Sequence, residues 1–269
     1  MCWKKILNWL MGEDEIINDD VFLNSSHKAL LFGINNYPGS GNDLNGCLND
    51  VDDFEKKLRE YWPHFKIKKF KDAEVTTTRF INEVEKAIKS LAPGDVVAIF
   101  FDSCFSESAT KNNFCKKRFF DQGLGRRKKF QKRIFRSGPM KWIAFGACQD
   151  NQSASDAFLD NRFNGAFMYY NLYVMTPGPT YKEHYNKICA FLPSRLFAQI
   201  PSLEGPEELL SEKLFEKPTL IIAYSGHGSY VNDTSGDEED GMDETLYLYN
   251  GNLIDDKIGE LLQQIPVLT

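Results

Sequence analysis

Four stretches, KALLFGI (28–34), VVAIFFDSC (96–104), KWIAFGAC (141–148) and TLIIAYSGHG (219–228), are apolar along most of their length instead of at alternate positions. Strands of that kind must be covered on both faces, a condition met in parallel sheets with helices above and below. Helical patterns separate them. CLNDVDDFEKKLREYW places Val51, Phe54, Leu58 and Tyr61 at helical spacing after Asn and Asp residues suited to N-capping. TTTRFINEVEKAIKSL is a second amphipathic helix, ended by APGD, and FKIKKFKD alternates as a further strand. The pattern predicts an α/β fold with a mostly parallel sheet and helices on both faces.

A chain of 269 residues, 42% hydrophobic, can bury one large core or two small ones. Its net charge of −6 excludes generic nucleic-acid binding, which needs a basic face. Six cysteines without a CxxC spacing, and only four histidines, argue against structural zinc. There is no 18-residue apolar run, and MCWKKILNWLMGEDE lacks the form of a cleavable leader, so a cytoplasmic protein with reduced thiols is expected. Trp3, Ile6, Leu7 and Leu10 form a short helical stripe that either packs on the domain or touches a membrane surface. It buries little area, and no membrane partner is expected.

In such a sheet the reactive groups collect beyond the carboxyl ends of the strands. Asp102-Ser103-Cys104 ends one strand and Ser225-Gly226-His227 ends another. A thiol at neutral pH is mostly protonated, and a histidine within reach makes it a nucleophile. Cys104 and His227 are the candidate pair, with the N–H groups of Gly228 and Cys104 as donors to a developing oxyanion. The competing reading is a core cysteine and an ordinary hydrogen-bonded histidine.

Taken together, KALLFGINNYPGSGNDLNGCLNDVDDF, AIFFDSCFSES, YSGHG, GDEEDGMDETLYL and LIDDKI resemble the signature segments of metacaspases, the caspase-like cysteine peptidases. GACQDNQSASDA, NGAFMYY and QIPSLEG resemble that family's carboxyl-terminal subunit region. The resemblance implies a caspase-like peptidase domain over 28–269 after an amino-terminal extension, 1–27. Within it lie a basic linker (116–136), a small-subunit-like region (137–216) and a His-bearing segment (217–269). It implies that Cys104 is the nucleophile and His227 the general base. Cys47, Asp50, Asp102 and Ser225 would surround the pocket for the residue before the scissile bond, whose carboxylates favour Arg or Lys. The alternative for Asp50 is a helix N-cap. Asp243, Asp255 and Asp256 match a calcium site that often activates the family, while its fourth aspartate falls near Lys111 without a counterpart; the glycine spacing excludes an EF-hand.

Chain order departs from the family. The segment with His227 follows the cysteine strand, where metacaspases place it before, so the blocks read A, C, B. Strand pairing follows the core pattern more than chain order, which leaves the sheet intact, with a domain-swapped dimer as the alternative to a monomer. SCFSE also replaces the family's histidine and Ser-Gly after the cysteine. Two functions from different classes therefore stand: an active peptidase on protein or peptide substrates, and an inactive caspase-like interaction module. The basic stretch CKKRFFDQGLGRRKKFQKRIFR reads as a solvated loop, and as a self-processing linker if the enzyme cuts after basic residues.

Overall fold

The computed structural model describes residues 17–39, 41–103, 115–120, 122, 140–149, 152–192, 196–197, 199–234, 236 and 241–267. Cys104, the amino-terminal stripe, most of the basic stretch and the acidic run 237–240 lie outside the described residues.

Six strands form the central sheet: β1 (His27–Gly33), β2 (Lys66–Lys71), β3 (Val96–Asp102), β5 (Ile143–Gly146), β8 (Ser202–Glu204) and β9 (Thr219–Ser225). Their order is β2-β1-β9-β3-β5-β8, all parallel except β8 against β5. β9, late in the chain, lies between β1 and β3, so that Gly33, Ser225 and Asp102 share one level at the carboxyl edge.

Side chains alternate through the sheet as continuous apolar strands require. Leu30, Phe32, Ile99 and Ile222 join one core with helix α2 (Thr77–Lys89) and helix α5 (Asp255–Gln263). Ala29, Leu31, Phe100 and Ile221 join the other with α1 (Cys47–Tyr61), α3 (Ala166–Val174) and α4 (Tyr181–Phe191). The expectation of helices on both faces holds. Among the described residues no helix is long and apolar enough to cross a membrane.

Two small antiparallel sheets flank the carboxyl edge. One is β10 (His227–Asn232), β11 (Met242–Leu248) and β12 (Gly251–Ile254); the other is β4 (Cys115–Lys117), β6 (Ser155–Leu159) and β7 (Arg162–Gly165). A bridge between Phe119 and Gly228 ties them together. This overturns the solvated-loop reading for the start of the basic stretch: residues 115–117 are a paired strand, and Arg118 is fully buried. Charge density along the sequence gives no sign of three carboxylates waiting elsewhere in the fold.

Phe100 stacks on Phe145 at 4.7 Å and meets Phe54 edge-on, joining β3, β5 and α1. Phe100→Ala should cost about 3–5 kcal/mol of stability through the cavity it leaves. Urea unfolding monitored by circular dichroism checks this, and a loss under about 1 kcal/mol would contradict the packing.

Candidate active site

The site grows from the end of β9. Gly226 breaks the strand, and no side chain fits there, because a Cβ would sit 2.7 Å from the Tyr37 hydroxyl and closer still to that of Tyr224. Those hydroxyls hold the backbone of the next residue: His227 N–H donates to Tyr37 Oη at 2.8 Å, and Tyr224 Oη donates to the His227 carbonyl at 2.9 Å. The His227 ring then places Nε2 2.7 Å from the Asn42 carbonyl. A carbonyl only accepts, so Nε2 carries the proton and Nδ1 keeps its lone pair. Nδ1 is buried without a hydrogen-bond partner among the described residues. Burial lowers the imidazole pKa to about 4, against the pull of the nearby Asn42 and Arg118 carbonyls. At neutral pH the ring is an uncharged base.

Asp102 and Ser225 are register partners on β3 and β9. In the sequence, Cys104 stands two residues beyond Asp102 as His227 stands two beyond Ser225. Cys104 itself lies outside the described residues.

Beneath the imidazole is a closed acidic pocket. Asp50 and Asp102, both expected there, are joined by Asp156 of β6, and all three side chains are buried. Into them reaches the guanidinium of Arg118. Its Nη2 donates to Asp50 Oδ2 at 2.7 Å and to Asp156 Oδ1 at 3.0 Å. Its Nη1 donates to Ser225 Oγ at 2.5 Å and to the Asp102 carbonyl at 3.2 Å, with Asp102 Oδ2 at 3.3 Å. Ser225 in turn donates to Asp50 Oδ2 at 2.6 Å. All four terminal N–H groups of the guanidinium are thereby used, an array that a planar fork satisfies and a point-charge ammonium does not.

Two helix starts make so much negative charge tolerable. Asp156 accepts from the N–H groups of Asn45 and Gly46 at the head of α1, each at 2.9 Å. Asp50 accepts from Gly165 N–H at 2.9 Å and Asp102 from Met168 N–H at 2.9 Å, both at the head of α3. The N-capping alternative for Asp50 therefore fails: the cap position of α1 is Gly46, which has no side chain to cap with, and Asp50, in the first turn, faces the pocket. Gly165 is the pocket floor, since a Cβ there would lie 2.6 Å from Arg118 Nη1. Cys47 is fully buried, and burial raises its thiol pKa. Burial likewise raises the pKa of Asp50 and Asp102, with Arg118 opposing it in both.

The main chain on either side of Arg118 is bound as well. Residues 115–117 pair antiparallel with β6, and Arg118 N–H donates to the Ala154 carbonyl at 3.2 Å. The Arg118 carbonyl accepts from Gly228 N–H at 2.9 Å, the donor expected at an oxyanion, and Phe120 N–H donates to the Gly228 carbonyl at 2.9 Å. The chain thus lays its own segment 115–120 across the edge in extended form, with Arg118 in the pocket.

Sequence reasoning missed Asp156, Arg118 and Asn42. Asp156 is one acid in SASDA with no local mark; only the pairing of β6 with β4 and β7 brings it to Asp50. The expected Asp243, Asp255 and Asp256 lie at one end of the β11–β12 pair, and each has partners. Among the described residues no three His, Cys, Asp or Glu side chains converge as a metal cage.

A family model for the caspase domain matches residues 26–117. Metacaspase-1 of Eremothecium gossypii is 46% identical over 48 residues, 16% of this chain and 11% of that protein. Metacaspase-1 of Schizosaccharomyces pombe is 47% identical over 47 residues, with the same shares. Metacaspase-3 of Arabidopsis thaliana is 44% identical over 50 residues, 17% of this chain and 14% of that protein. The match thus spans about a tenth of the length of these curated relatives. Protein GSU0716 from Geobacter sulfurreducens has a similar fold: its crystal structure superposes with a TM-score of 0.53 at 19% identity, covering 69% of this chain and 97% of that one. The chain is thus similar to the caspase domain over residues 26–117 and to metacaspases over about 48 residues, and its sheet of six strands lies between two helical layers.

Proposed function

We propose that this chain is a cysteine endopeptidase that cuts proteins or peptides after arginine, and less well after lysine, with Cys104 as nucleophile and His227 as base. One observation carries the reading: Arg118 sits in the acidic pocket with its carbonyl on the Gly228 N–H, as the residue before a scissile bond would. A guanidinium fits the four-acceptor array better than an ammonium, hence the order of preference.

In the proposed reaction, His227 Nδ1 takes the Cys104 proton as sulfur attacks the carbonyl carbon. The resulting oxyanion rests on the Gly228 N–H. The C–N bond then breaks, the imidazolium gives its proton to the departing amine, and a thioester remains. Water, deprotonated by the same imidazole, releases the carboxylate and restores the thiol. The Arg118–Phe119 bond is then the one seated for self-processing, within the basic stretch, and the cleft opens once that segment leaves.

Calcium activation belongs to the proposal too, through Asp243, Asp255 and Asp256, whose hard carboxylate oxygens suit that ion. So do the block order of the chain, for which the seating of β9 between β1 and β3 speaks, and a cytoplasmic setting, for which the free thiols of Cys47, Cys148 and Cys189 speak.

A fluorogenic Lys-Lys-Arg peptide, assayed with and without millimolar calcium, tests the activity. Wild type should cleave it and Cys104→Ala should not; indistinguishable traces would sink the enzyme reading in favour of an interaction module. Asp156→Asn should lower kcat/KM on this peptide at least about tenfold, since removing one partner of a desolvated charge pair costs about 2–5 kcal/mol. Amino-terminal sequencing of self-processed fragments should begin at Phe119, with no such fragment from Cys104→Ala. Cuts only elsewhere would reject the seating.

Replacing Arg118 tests the electrostatics without turnover. Arg118→Ala leaves three buried carboxylates without their counter-charge and should destabilise the chain by about 3–5 kcal/mol at neutral pH. Asp50 and Asp102 already bind their protons more tightly folded than unfolded. Losing the cation strengthens that binding, so the folded state holds more protons above the ordinary carboxylate value near 4 and its stability falls as pH rises. The deficit of the variant should be larger at pH 8 than at pH 5 in denaturant titrations; equal deficits would contradict the assignment.

A further inference from the structure

The side of the cleft beyond Arg118 has a chemistry of its own. Phe120 lies flat on Tyr247, with ring centroids 3.9 Å apart and planes 8° from parallel. Tyr247 stacks in turn on Tyr37 at 5.5 Å and 21°. Phe119 packs against Tyr230 at 5.5 Å. The backbone is held alongside the rings, because Ser229 Oγ donates to the Phe120 carbonyl at 2.7 Å and Phe120 N–H reaches the Gly228 carbonyl. Tyr37 is also the residue whose hydroxyl receives the His227 N–H, and its ring lies 4.8 Å from the imidazole. An aromatic floor therefore runs from the catalytic histidine to the second position after Arg118.

We propose that Tyr247, backed by Tyr37, and Tyr230 are specificity-determining residues that select substrates with aromatic side chains at the two positions following the cleaved arginine. The inference rests on the peptidase reading and on the seating of Arg118 before the scissile bond. The substrate class is a protein segment with a basic run ending in arginine and followed by two aromatic residues, the pattern Lys116-Lys117-Arg118-Phe119-Phe120 carries itself. Parallel ring faces favour Phe, Tyr or Trp over aliphatic chains of similar area, and a carboxylate laid on them would lose hydration and meet the negative face of the π-system. Tyr247 is half-buried, so its face is open once the segment has left.

Three internally quenched peptides test this with wild-type protein, each beginning Lys-Lys-Arg and continuing Phe-Phe, Ala-Ala or Asp-Asp. The Phe-Phe peptide should have a kcat/KM about fivefold or more above the Ala-Ala peptide, the order expected for ring stacking, with Asp-Asp lowest. Tyr247→Ala should bring the Phe-Phe to Ala-Ala ratio within about twofold, and Tyr247→Phe, which keeps the ring face, should restore it. Because the wild-type comparison needs no variant, a misfolded Tyr247→Ala leaves the test intact. Equal rates on Phe-Phe and Ala-Ala, with a Lys-Lys-Arg amide reporter still cleaved, overturn the aromatic subsite alone. Failure to cleave even the reporter overturns the peptidase reading and this inference with it.

Discussion

A single guanidinium set among three buried carboxylates orders the whole carboxyl edge of this protein. Arg118 draws together β3, β6, β9 and the heads of α1 and α3, elements that come from every part of the described chain. Buried ion clusters of this kind add little to stability compared with an apolar core of equal volume, because desolvation offsets most of the attraction. Their value is specificity of geometry. The pocket is spare in neutral groups and rich in acceptors, and it is closed at the floor by Gly165, where a side chain would strike the guanidinium.

The same edge fixes the imidazole through its backbone. Tyr37 and Tyr224 pin residue 227 from both sides, the Asn42 carbonyl fixes the tautomer, and burial keeps the ring neutral. The turn-rich loop after β1 thus does two jobs, supplying the hydroxyl that holds the histidine backbone and the carbonyl that orients its ring. The chain bound across this edge touches the imidazole environment, the Gly228 N–H and the pocket at once, through the recognition mode in which an extended segment adds a strand to an existing edge.

Much of the fold was legible because continuous apolar runs allow few solutions. Leu30 and Leu31 on one strand must serve two cores, and they do. Asp50, Asp102 and Ser225 were legible too, through the resemblance and through their places after buried strands. What escaped was everything decided by long-range register. Asp156 shares the Arg118 guanidinium with Asp50 only because β6 and β7 fold over the head of α1, and nothing near residue 156 records it. Arg118 was hidden in a basic stretch whose composition suggests hydration; its burial follows from acids 38 and 68 residues away in sequence. The helix cap was misread for the same reason: Asn and Asp residues near position 45 suggested a local cap, while the capping oxygens come from Asp156, 110 and 111 residues away.

The central claim is that the acidic pocket is built for the side chain of arginine and holds the chain's own. Isothermal calorimetry of agmatine, which carries that side chain's guanidinium, compares two proteins in a Cys104→Ala background: one with Arg118 intact and one with Arg118→Ala. The account predicts saturable one-to-one binding to the protein lacking Arg118 and none to the intact chain. Equal binding by both, or none by the opened pocket in a variant shown to be folded, would contradict it.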